Sequence, residues 1–99
     1  MPKTTTKKAN APKGFVRRNY KNPAKAGATV LFENNQQPFY IRHQHSNYVV
    51  GFFLKEDCTP DIYPGFNDYM IHDSEVKWVK LVSDHDQVKE KFNQITSDW

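Results

Sequence analysis

All eleven acidic residues of this 99-residue chain lie after position 32, while eight of its fourteen lysines and arginines lie before position 28. The early cations are Lys3, Lys7, Lys8, Lys13, Arg17, Arg18, Lys21 and Lys25, and after Met1 the only large apolar or aromatic side chains among them are Phe15, Val16 and Tyr20. Pro2, Pro12 and Pro23, with Gly14 and Gly27, punctuate the same stretch. A segment so charged and so poor in apolar surface cannot offset the entropy of ordering its own backbone. Residues 1–27 therefore read as a basic, largely flexible N-terminal arm, mobile to about Lys13, with Phe15 to Tyr20 able to anchor on a neighbour. The hydrophobic core must come from residues 28–99, a compact domain in which six cations face eleven acids for a net charge of −5.

Within that body leucine is scarce, with Leu31, Leu54 and Leu81 the only three, so the core is left to valine, isoleucine and aromatics. Aromatic residues reach 14% of the chain, and β-branched and aromatic side chains favour a pleated sheet. Ala28 to Glu33 reads as a first strand and Asn34 to Gln37 as a turn, with Pro38 opening a second strand, Phe39 to His45. Strict alternation there puts Phe39, Ile41, His43 and His45 on one face and Tyr40, Arg42 and Gln44 on the other. Ser46-Asn47 reads as a tight connection into a third, almost wholly apolar strand, Tyr48 to Lys55, in which Gly51 marks a close approach by another backbone or ring. Glu56 to Asp68 is an irregular loop carrying Ile62, Tyr63 and Phe66 and packed against the body. Tyr69 to His72 and Glu75 to Val82 supply the remaining strands. The period then changes: Val88, Phe92 and Ile95 recur at helical spacing, and the pattern predicts a helix over Asp84–Thr96 with Ser83 or Asp84 as its cap. The fold class expected is α+β: a four- or five-stranded, mainly antiparallel sheet, possibly barrel-like, with one C-terminal helix.

Several chemistries find no support. A single cysteine, Cys58, excludes an internal disulfide and a cysteine-based zinc site, and reads as a free thiol in a reducing compartment. No apolar run approaches the ~20 residues of a membrane span, and the basic N-terminus lacks the apolar core of a signal peptide, so a cytoplasmic setting is expected. There is no phosphate-cradling glycine loop, nucleophile elbow or metalloprotease helix, so neither an enzyme nor a cofactor is expected. His43 and His45 point the same way on a strand and begin a metal site, but no third ligand stands at a diagnostic spacing.

Two binding surfaces remain. Lys7, Lys8, Lys13, Arg17, Arg18 and Lys21 can neutralise phosphates while Tyr20 stacks on bases, and Arg42 and Trp78 place a cation and an aromatic on the sheet in the same manner. These residues point to a non-enzymatic protein that contacts nucleic acid or a nucleoprotein complex. The alternative is a small inhibitor or adaptor of the kind phages encode, which would bind a host protein through the acidic body and the aromatic loop residues Ile62, Tyr63, Phe66 and Tyr69. Either form is a monomer or, through exposed sheet edges, a homodimer.

Overall fold

A computed structural model describes residues 11–99; Lys3, Lys7 and Lys8, and most of the stretch read as mobile, lie outside the described residues. The strands are β1 (Phe15–Arg17), β2 (Thr29–Phe32), β3 (Asn35–His45), β4 (Tyr48–Phe53), β5 (Tyr69–His72) and β6 (Val76–Lys80), followed by a helix, α1 (His85–Thr96). They form one antiparallel sheet in the order β1-β6-β2-β3-β4-β5, with a single 3-10 turn, Asp73–Glu75, leading into β6. The α+β class expected from the sequence is what the chain adopts.

The sheet departs from that expectation in two ways. It has six strands, because Phe15, Val16 and Arg17 pair with Lys80, Val79 and Trp78 and extend the sheet past β6. It is also open: the outer strands β1 and β5 pair only inward, and no ladder joins them into a barrel. The stretch from Phe15, read from the sequence as able to anchor on a neighbour, does so on β6. Gly14 O accepts from Leu81 N at 2.9 Å, Arg18 N donates to Lys77 O at 3.0 Å, and Ala24 is buried in the core. The three residues of β1, too few to form a core themselves, are ordered by a ladder that β6 supplies.

The sheet curls over a row of rings. Phe39 on β3 sits between Phe32 of β2 and Phe53 of β4, at centroid separations of 5.1 and 5.0 Å. Val30, Ile41, Val49, Val76 and Val79 complete this concave core. On the opposite face Tyr40, Phe52 and Leu54 pack with Val88 of α1, and Ile62, Phe66 and Phe92 close over them. The helix begins one residue later than its sequence pattern suggests, with Asp84 at the cap position.

β3 holds two irregularities. Its first turn is only Glu33-Asn34, so the strand starts at Asn35 and takes Pro38 inside it. Proline is tolerated there because the β2–β3 ladder is interrupted between the Phe32↔Asn35 and Val30↔Phe39 pairs. The second is a bulge at Arg42, which leaves Ile41 opposite Gly51 but His43 opposite Val50. One extra residue breaks the alternation. His43 and His45 therefore do not continue the face of Phe39 and Ile41 as the sequence suggests; they fall in register with Val50 and Tyr48. Ser46-Asn47 is the tight connection expected, with Ser46 at φ 57°.

Candidate nucleic-acid interface

The basic surface is assembled from the ordered part of the N-terminal segment and the two elements it meets. Asn19 organises the centre. Its side-chain oxygen accepts from the backbone N–H groups of Lys21 and Asn22, each at 2.9 Å, and its own N–H and carbonyl pair with Asn22. An asparagine turn of this kind fixes the chain without any apolar contact. At its tip Tyr20 stands 88% exposed with Lys21 Nζ 5.9 Å from the ring centre. An aromatic ring of this size is rarely so solvated on an ordered turn, because burying it is worth more than almost any other side chain contributes.

Beside the turn, β1 places Arg17 directly opposite Trp78 of β6, and Lys77 lies 5.5 Å from the Trp78 ring centre. Trp78 is half-buried, lies opposite Leu31 on its other side, and has Arg17 and Lys77 beside it. Lys21, Lys25 and Lys80 line a groove of about 420 Å³ that runs along residues 21–29 to Ser83 and His85. Among the described residues Arg17, Lys21, Lys25 and Lys77 take part in no ion pair.

Other candidates serve the fold. Arg18 is half-buried and its guanidinium donates to the Asp73 carbonyl, which ties the end of β1 to the 3-10 turn. Lys80 is held by the buried Asp84 carboxylate at 3.0 Å. Burial works against the Lys80 charge, but the Asp84 bond and field, together with nearby Cys58, outweigh it and hold the ammonium above its ordinary range. Asp84 also accepts from Thr29 Oγ1 at 2.6 Å and Cys58 Sγ at 3.5 Å. Burial, and then the Asp84 carboxylate, push the Cys58 thiol upward, which suits a structural thiol and not a nucleophile.

The aromatic loop divides. Ile62 and Phe66 pack into the helix-side core, where Phe66 meets Phe52, Phe92 and Trp99 edge-on, while Tyr63 and Tyr69 stay 65% and 55% exposed. The four residues are therefore not one contact surface. His43 and His45 stack at 6.1 Å, but His72 is bonded to Ser74 and His85 to Tyr40, and no metal-ligating group of three forms among the described residues.

Two residues beside the basic surface, His85 and Lys89, were not read as part of it from the sequence. Both lie on α1, far along the chain from the basic segment, and only the folded chain brings His85 to the groove of residues 21–29 and Lys89 to the neighbouring cleft. Comparisons with protein-family models, with characterised proteins and with solved structures return no match. No helix among the described residues is long and apolar enough to cross a membrane.

Proposed function

We propose that the protein is a small non-enzymatic nucleic-acid-binding protein whose basic N-terminal segment makes the contact. The observation that carries this reading is Tyr20, solvated at the tip of an ordered turn and bracketed by Arg17, Lys21 and Lys25. Cations that no acid neutralises release counterions when they meet phosphates, and an exposed ring stacks on any base it reaches. Arg17, Lys21, Lys25 and Lys77 supply the phosphate contacts, with Tyr20 and the open part of Trp78 as stacking platforms. Lys7, Lys8 and Lys13 add to the electrostatic attraction by composition.

The test is a titration of labelled oligonucleotides with the full chain over a salt series. Affinity falls linearly with salt on logarithmic axes, and the Arg17→Ala/Lys21→Ala double variant flattens that slope by about 1.5. Tyr20→Ala lowers affinity by roughly fivefold or more and leaves the slope unchanged, since stacking releases no counterions. Affinity undiminished in all of these variants overturns the assignment. A truncation probing the extreme N-terminus must stop before Phe15, because a longer one removes β1. In the host-protein reading the acidic body would be joined by the exposed Tyr63 and Tyr69, with Ile62 and Phe66 packed against the helix-side core.

A further inference from the structure

Between β3, β4 and α1 lies a second concavity of about 270 Å³, floored by Phe52, Val88 and Phe92 and rimmed by Arg42, His85 and Lys89. It is smaller than the roughly 300–1,000 Å³ of sites for drug-sized ligands, a size suited to one flat ring system. Its floor is apolar and its rim carries the Arg42 and Lys89 charges, which matches a planar, uncharged ring attached to an anion.

Arg42 gives the cleft its geometry. Alternation along β3 puts this side chain on the helix side with Tyr40, where its guanidinium carbon lies 4.8 Å from the Phe92 ring centre and 5.9 Å from that of Phe52. One guanidinium nitrogen donates to both Asp68 oxygens at 3.2 Å, which fixes the group, yet the side chain stays 40% exposed. A guanidinium held beside two aromatic rings and fixed by a carboxylate is available for stacking with little further loss of side-chain entropy. Tyr40 closes the inner end: its hydroxyl lies 2.5 Å from His85 Nδ1, and the two rings stack at 5.9 Å. His85 lines both this cleft and the Lys21–Lys25 groove, so the two concavities meet at one side chain.

We infer that the cleft receives an unpaired base of a single-stranded nucleic acid, stacked against Arg42, while the adjoining phosphates run along Lys89 and into the groove of Lys21 and Lys25. The inference rests on the nucleic-acid reading above and specifies its ligand: a base in a duplex is paired and stacked and cannot enter such a cleft. A short mixed-sequence single strand and the same sequence as a duplex are each titrated with the full-length protein at one salt concentration. Single strand binds more tightly than duplex, and Arg42→Lys, which keeps the charge and loses the plane, weakens single-strand binding by about tenfold while leaving duplex binding unchanged. Asn93→Trp, at an exposed helix position on the cleft lining, gives the same selective loss by filling the entrance and does not depend on the Arg42–Asp68 contact for folding. Equal binding of both forms, with both variants like the parent protein, overturns the cleft assignment but leaves the nucleic-acid reading standing if Arg17→Ala/Lys21→Ala still weakens binding. Absence of binding by the parent protein at low salt overturns both.

Discussion

Gly51→Ala unfolds this protein or brings it to the edge of unfolding, the largest effect expected of any single methyl group in the chain. A Cβ built on Gly51 falls 1.9 Å from the Tyr40 carbonyl oxygen, 3.0 Å from its carbon and 3.1 Å from Arg42 N. All three atoms are backbone, so no rotamer change relieves the overlap. Relief requires β3 and β4 to separate at the Ile41↔Gly51 pair, beside the bulge and between the two hydrophobic cores. A domain of this size has about 5–15 kcal/mol of stability, and forced separation of central strands costs about 4 kcal/mol or more. Thermal unfolding followed by circular dichroism then shows a midpoint lower by about 20 °C, or no cooperative transition. A midpoint within a few degrees of the parent protein would show that the two strands yield at this point.

Asp84→Ala has the second largest effect, and its cause is polar. The carboxylate is buried and accepts from the Thr29 hydroxyl and the Lys80 ammonium, with the Cys58 thiol a longer third donor. Removing it strands the buried Thr29 hydroxyl and leaves a half-buried ammonium unpaired. A buried charge that loses its partner costs about 3–5 kcal/mol, and because Lys80 keeps some contact with water we expect the lower end, about 3 kcal/mol. In urea the midpoint drops by about 1–2 M with the slope of the transition unchanged. Adding Lys80→Met to the variant recovers part of the loss, because it removes the stranded charge. Failure of the double variant to recover any stability would place the cost in Thr29 and the emptied space. The same pair sets an alkaline limit. Because the folded state raises the Lys80 pKa, its contribution is complete below about pH 10.5 and is lost as pH rises through the higher folded value.

Asp84 also shows what the sequence did and did not disclose. Its position was legible: an aspartate ahead of a helical apolar pattern marks a helix start, and α1 begins at the next residue. Its work was not. The side chain makes no capping bond, and Ser83 Oγ instead accepts from His85 N at 3.2 Å. The Asp84 partners, Thr29 and Lys80, come from two different strands, a juxtaposition no local pattern encodes. The hairpin of β3 and β4 and the close approach at Gly51 were legible because an apolar run around one glycine allows few alternatives. The bulge was not, since Arg42 carries no mark that separates it from an ordinary alternating residue, and one inserted position moved both histidines. β1 escaped because three residues make no periodic signal of their own and become a strand only when β6 offers its edge. Of the candidate site, charge and aromatic content were readable, while the division between Arg17, which is free, and Arg18, which is bonded to Asp73, depends on which side of a strand each residue leaves.

That division bears on how the chain tolerates damage. Strand β1 shields the outer edge of β6, and it is cut from the same short stretch that carries the charges proposed for recognition. A protease that nicks the backbone between Phe15 and Gly27 therefore does two things at once. It strips the binding surface, and it bares a row of unpaired amide and carbonyl groups along Val76–Lys80 that can recruit strands from other molecules. Loss of the charges proposed for recognition and exposure of an aggregation-prone edge therefore share a single cleavage window.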